Sequence, residues 1–417
     1  MAFYQEWVTQ FRGYNRNIRL ALLGSIFIQI GMGIFMVIYN FYVRELGYAE
    51  DVNGKIISMN SLATALILIP AGILSDRLGR KKVMLFGALI TGFLLIFRSI
   101  TEAQNLLILF GFLTGLAMAF VMVSGIPWLA ENSTDEQRVH LFSIQFAVMT
   151  GANVIGSILG GALTDLFSLG FTEVESIRYT LLIGAIIFLI GIIPMTKFKE
   201  QRKTRLKNKS PIKGHLKLEK NKYTMIILFA IPALLIGFGA GLVIPYLNLY
   251  FSDRFAASNT MIGFIISLGQ AATAIAIIIG PLVVRKVGEV KAVVILQLLS
   301  LPFLLLTAFT EHLWLAAVGF LFRQALMNAG NPIQSSLMMS MVDDSVKGLA
   351  NSVNQMVFNL GWAVMGPVST GIVLKYGTYW GYATVFTITA SLYLIGSIYY
   401  FIVFSKLNSE RKLRTAS

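Results

Sequence analysis

The sequence predicts an all-α membrane protein, with twelve transmembrane helices arranged as two parallel six-helix repeats with pseudo-two-fold symmetry. Three observations carry that prediction. Apolar stretches close to the ~20 residues a helix needs to cross a hydrocarbon core recur along nearly the whole chain. Lys and Arg concentrate in alternate connections. Blocks of residues in the first half return in the second at an almost constant offset.

Composition narrows the class. The chain has 417 residues, of which 56% are hydrophobic and 13% charged, with a mean hydropathy of +0.72. A soluble domain carries about 25% charged residues. This balance excludes a disordered chain, a coiled coil and a collagen-like repeat. Cysteine is absent, so disulfides, thiol nucleophiles and Cys-ligated metal centres are excluded as well.

The spans read as 18–43, 53–75, 82–101, 104–130, 138–163, 177–196, 223–251, 259–284, 289–309, 312–341, 348–374 and 378–404. Short polar breaks such as Glu50-Asp51-Val52-Asn53 and Ser252-Asp253-Arg254 separate them. The ten-residue alternating strands of a transmembrane β-barrel are missing. No secretory cleavage pattern opens the chain, and residues 1–17 read as a cytoplasmic tail. With both termini inside, 27 of the 34 Lys and Arg fall on the inner side. The expected location is the plasma membrane, with both termini cytoplasmic. Eleven of the basic residues sit in 197–222, which contributes +9 of the net +14. That stretch reads as a basic cytoplasmic linker lying against anionic headgroups. It divides the chain into halves 1–196 and 223–417, and it weakens any nucleic-acid reading of the high pI.

The repeat is direct. Gly31, Gly33, Asn40 and Tyr42 match Gly239, Gly241, Asn248 and Tyr250 at an offset of 208. Gly54 and Ser58 match Gly263 and Ser267 at 209. Gln145, Gly151, Gly156 and Gly161 match Gln355, Gly361, Gly366 and Gly371 at 210. Parallel six-helix repeats mark many secondary transporters.

Between spans two and three the chain reads Gly72-Ile-Leu-Ser-Asp76-Arg77-Leu-Gly79-Arg80-Lys81-Lys82, and a worn copy, Gly280 to Gly288, sits at the repeat position. Here the sequence resembles the major facilitator superfamily, whose diagnostic loop is G-x-x-x-D-R-x-G-R-K. Gly79 permits a tight turn, and Gly72 lets helix backbones approach. Asp76 ends a helix where its charge opposes the dipole and needs an outside partner. The resemblance implies that this partner is the start of span eleven near Lys347–Gly348. It also implies that Arg80 reaches Glu131, and that Gly72, Asp76, Arg77, Gly79, Arg80, Lys81 and Glu131 form a gate closing the cytoplasmic side. Span five, with Ala152, Gly156, Ser157, Gly160 and Gly161, partly resembles the antiporter motif G-x-x-x-G-P-x-x-G-G of drug–proton exporters.

No acid lies near mid-membrane, and His140, His215 and His312 fall in loops or at helix ends. Arg323 does lie deep, where a guanidinium costs at least about 2.5 kcal/mol, and a cavity- or ligand-facing role is expected for it. Asn328, Asn331, Gln355, Asn359, Gln29, Asn40 and Asn248 complete the candidate substrate-binding set. Helix packing through polar side chains is the alternative for each. The reading is a transporter, not an enzyme, that works as a monomer by rocking of two halves. It would move a small organic solute, first an amphipathic or drug-like compound outward, alternatively an organic anion inward. A membrane-embedded enzyme is the third alternative. Neither cofactor nor metal is expected. The expected partners are the small-molecule substrate, a coupling ion with the proton first, and membrane lipid.

Overall fold

A computed structural model describes residues 13–198, 220–342 and 346–416. The residues it describes contain helices and no strand. The helices are numbered here α1–α12 by span. The first half has α1 (Arg16–Glu45), α2 (Glu50–Leu78), α3 (Arg80–Ile100), α4 (Gln104–Glu131), α5 (Asp135–Phe167) and α6 (Glu173–Ile190, continued by Ile192–Thr196). In the second half α7 is broken, Lys220–Val243 passing through a 3-10 turn at Ile244–Tyr246 into Leu247–Phe255. Then come α8 (Asn259–Val287), α9 (Glu289–Phe309) and α10, which is split at Gly330 into Leu313–Ala329 and Asn331–Met341. The last run, Lys347–Ala416, is two helices, α11 (347–376) and α12 (378–416), joined at non-helical Gly377. Span ends agree with the sequence reading to within four residues, except that α12 continues past 404 as a polar extension. Most of the expected linker, together with Asp343, Asp344, His215 and the side chains of Arg138, His140 and Lys347, lies outside the described residues.

The two halves repeat one packing scheme. In the first, α1 packs on α5 and α6, α2 on α4, and α3 on α4 and α6; α8 likewise packs on α10, and α9 on α10 and α12. In the second half α7 meets α11 through Gly237 and Gly241, whose Cα atoms face Phe358 and Trp362. Small residues allow such backbone approach where lipid gives no hydrophobic drive for helix association. Across the halves, α2 packs on α11 and α5 on α8.

The repeat is written into the backbone too. Gly79 turns between α2 and α3 at φ +101°, and Gly288, 209 residues later, turns between α8 and α9 at φ +83°. Gly47 has φ +86°, and its counterpart at the same offset is Ala256, at φ +50°. The left-handed region costs a residue with a Cβ roughly 1–2 kcal/mol. Ala256→Gly, which copies the first half, should therefore raise stability by about 1 kcal/mol. Thermal unfolding of the purified protein in one detergent checks this; an unchanged or lower melting temperature counts against it.

Candidate functional site

The functional geometry lies at the two ends of the seam between the halves. At the end remote from the signature loop the halves are bonded. Asn40 and Asn248, the repeat-related pair, face each other: Asn40 Nδ2 donates to Asn248 Oδ1 at 3.0 Å and to the Pro245 carbonyl at 2.6 Å. Asn248 Nδ2 donates to the Val37 carbonyl at 2.7 Å. The break in α7 at Ile244–Tyr246 lies beside this pair, where Pro245 offers its carbonyl. Four residues along α1, Arg44 makes ion pairs with Glu50 at 2.8 Å and with Asp253 of the other half at 2.7 Å. Tyr382 donates to Asp253 at 2.8 Å, and Asn53 donates to Glu50 at 3.1 Å. One guanidinium thus serves two carboxylates, both largely shielded, with side-chain exposures of 16% and 14%.

A second bond closes the α5–α8 side. Asp165, at the end of α5, accepts from the Thr260 backbone N–H at 2.8 Å and from Asn259 Nδ2 at 3.0 Å. Its carboxylate sits where the positive end of the α8 dipole favours an anion. Ser58 donates to the Ala363 carbonyl, tying α2 to α11.

These bonds need bare backbone. A Cβ on Gly161 would lie 2.2 Å from the Asn259 carbonyl oxygen, and one on Gly263 2.3 Å from that of Ser157. A Cβ on Gly54 would meet the Gly366 carbonyl at 3.0 Å. Gly156 and Gly160 of the same α5 motif turn the other way, against the backbone of α1 at Ile30 and Ile34.

At the loop end, Arg80 Nε lies 2.7 Å from Glu131 Oε1, and Arg80 Nη2 lies 3.2 Å from Asp76 Oδ1. Lys81 donates to the Phe198 carbonyl at 2.6 Å, and Arg77 is exposed. Gly79 makes the turn by its positive φ. Gly72 departs from its expected role, because a Cβ there would meet nothing within 4 Å. Gly125, also toward this end, and Gly151, midway along α5, have the same open space.

The expected binding residues divide into three groups. Asn40 and Asn248 are 7% and 2% exposed and bonded to each other, so they close the seam and do not line an open cavity. Arg323, expected to face a cavity, is 2% exposed. Its guanidinium donates to Tyr393 Oη and to Gln324 Oε1, each at 2.8 Å, and lies 5.6 Å from the Tyr393 ring centre. The sequence shows depth but not which neighbour fills the space: Tyr393 comes from α12, and its ring also abuts Gly239 of α7. Asn328 and Asn359 bond back to their own helices, and Gln29 is half-buried.

Asn331 and Gln355 do line a cavity, of about 240 Å³, among α7, α10, α11 and α12. Gln334 and Asn354 add two more amides, and Phe229, Phe358 and Tyr400 supply aromatic walls. Sequence reasoning passed over the Arg44–Asp253 pair and Asp165. The repeat held a clue, since Arg44 and Asp253 are 209 residues apart, near-equivalent positions on the first helix of each half. Helices beside a two-fold axis meet their own counterparts.

The model of the Major Facilitator Superfamily matches residues 21–232 and again residues 229–416. The chain belongs to this superfamily of transporters. It is 27% identical over 405 residues to "Multidrug resistance protein MdtG" of Proteus mirabilis, covering 94% of this chain and 96% of that one. It is 26% identical over 408 residues to "Multi-drug resistance efflux pump PmrA" of Streptococcus pneumoniae, covering 95% and 98%. Among solved structures it shares its fold with a bacterial homologue of the human lysosomal transporter Spinster. The TM-score is 0.73 and the identity 16%, over 92% of this chain and 95% of that one.

Arg44 and Asp253 should be energetically coupled. A double-mutant cycle with Arg44→Gln and Asp253→Asn, read by thermal unfolding, should give a coupling on the order of 1–2 kcal/mol, the range for charge-assisted bonds with partial exposure. Arg44→Gln should cost more than Asp253→Asn, because it leaves two carboxylates facing each other. Additive effects would show that the pair does not bond the halves.

Proposed function

We propose that the protein is a secondary active transporter that exports amphipathic, drug-like compounds by alternating access, with the proton as coupling ion. Both termini face the cytoplasm in this reading, and the bonded end of the seam faces outward. The observation that carries it is the bonded seam at the end remote from the signature loop, where an ion pair, an amide pair and glycine contacts join the halves. Such bonds are what a transporter must break to open that side. Similarity to exporters of drugs over nearly the whole chain supports the direction and substrate class.

The signature loop is then the counterpart of the outer bonds. Asp76, Arg80 and Glu131 hold the loop in shape on the first half, and in the state closed on the cytoplasmic side Asp76 meets the start of α11. Asp165 at the start of α8 supports the idea by analogy, since there a carboxylate from one half already satisfies a helix N-terminus of the other. Arg323 serves the fold of the second half in this account, and the organic-anion alternative loses the residue that motivated it.

Asp76→Asn keeps the shape and removes the charge. It should insert normally and slow proton-driven export in proteoliposomes about tenfold, the effect of losing roughly 1.4 kcal/mol from one closed state. An unchanged rate would refute the gating role. Reporter fusions after Ser417 and inside 197–222 should both read as cytoplasmic, and an external signal from either would invert the topology.

A further inference from the structure

We infer that the cavity among α7, α10, α11 and α12 is a recognition subsite for an uncharged, planar amphipathic solute with hydrogen-bonding groups of its own. The inference rests on the transport reading and adds the chemistry of the substrate. Among the described residues, no Asp, Glu, Lys, Arg or His lines this cavity. A charged solute entering it would leave its hydration shell without meeting a counter-charge, an unfavourable exchange in a low-dielectric site. A neutral solute avoids that penalty.

The walls carry polar groups with unmet bonding capacity. The side-chain amides of Gln334, Asn354 and Gln355 make no hydrogen bond to any described residue, and Asn331 uses only its donor, on Asn328 at 3.2 Å. Each free amide offers both a donor and an acceptor without net charge, so the set matches carbonyl, hydroxyl and amide groups of varied placement. The ring of Tyr400 belongs to the same wall, and its buried hydroxyl has no partner among the described residues. Phe229 and Phe358 complete an aromatic lining suited to a flat apolar body.

The position fits as well. Asn331 is the first residue after the Gly330 break in α10, and Pro232, within the unbroken first segment of α7, lines the cavity with it. A discontinuous helix such as α10 marks the substrate sites of many transporters, because freed backbone groups and altered packing make room there. The site lies wholly in the second half, so a solute can be held without bridging the seam while the other half moves.

Binding to the purified full-length protein in nanodiscs tests this, with chloramphenicol and Nile red as neutral probes, ethidium as cation and salicylate as anion. The neutral probes should bind more tightly than either ion. Gln355→Leu and Gln334→Leu, which keep bulk and remove the amide, should each weaken chloramphenicol about three- to tenfold, the range for one neutral hydrogen bond. The control Asn105→Leu, at the exposed start of α4, should leave its affinity unchanged. Melting temperatures confirm that each variant is folded. If ethidium or salicylate binds tightest, if neither neutral probe binds, or if both glutamine variants bind chloramphenicol like the parent, the inference is overturned. Proteoliposome export of the same probes separates the two claims. Export insensitive to Gln355 and Gln334 removes the subsite and keeps the transporter reading. Glutamine-dependent binding without export keeps the subsite and removes the exporter reading.

Discussion

Backbone has to meet backbone for the two halves to touch at all. In a bilayer nothing hydrophobic drives one helix onto another, so association depends on close packing and on polar bonds that short distances permit. Gly54 against Gly366, Gly161 against Asn259 and Gly263 against Ser157 supply that proximity. A side chain at any of them would push the helices apart and lengthen the bonds beside them. The Asp165 bond to the Thr260 N–H lies one residue from the Gly161 contact, and the Ser58 bond to Ala363 lies one turn from Gly54. The glycines thus set the distance and the polar groups make use of it. The partial antiporter motif of α5 gains a physical sense here: Gly156 and Gly160 seat α5 on α1, while Gly161 seats it on α8.

The same seam explains why polar residues cluster near its axis. Asn40 and Asn248 are counterparts 208 residues apart, and each satisfies the other's half through side chain and carbonyl. Arg44 and Asp253, one residue out of that register, take the next turn with opposite charges and form an ion pair across the seam. Removal of such partners is costly when they are shielded from water.

Much of this was legible in one dimension. Apolar runs placed all the spans, since the bilayer imposes both length and composition on them. Repeated glycines announced the two halves, and positive φ at Gly79 and Gly288 shows what those glycines do. The splits in α7 and α10 were not legible: Pro245 and Pro332 were visible, but membrane helices tolerate prolines, as Pro70, Pro127 and Pro302 do inside unbroken ones. Arg323 shows the deeper limit. Its depth was readable, yet its partner Tyr393 lies 70 residues away on another helix with no periodic relation to it. For Asn40 and Asn248 the residue type was informative and the neighbour was not: each amide faces its own counterpart and no cavity. Gly72 was read as a contact glycine from the motif, but a Cβ there would meet nothing within 4 Å.

The central claim is that the two ends of the seam alternate, the outer bonds opposing the signature loop. The absence of native cysteine makes the measurement clean. Spin labels on Leu169→Cys and Glu311→Cys report one end, and labels on Thr134→Cys and Lys286→Cys report the other. Introducing Gly161→Val, whose side chain cannot fit against Asn259, should lengthen the first distance and shorten the second in the same molecules. If the second distance stays fixed or lengthens along with the first, the ends are not coupled and the alternating account fails.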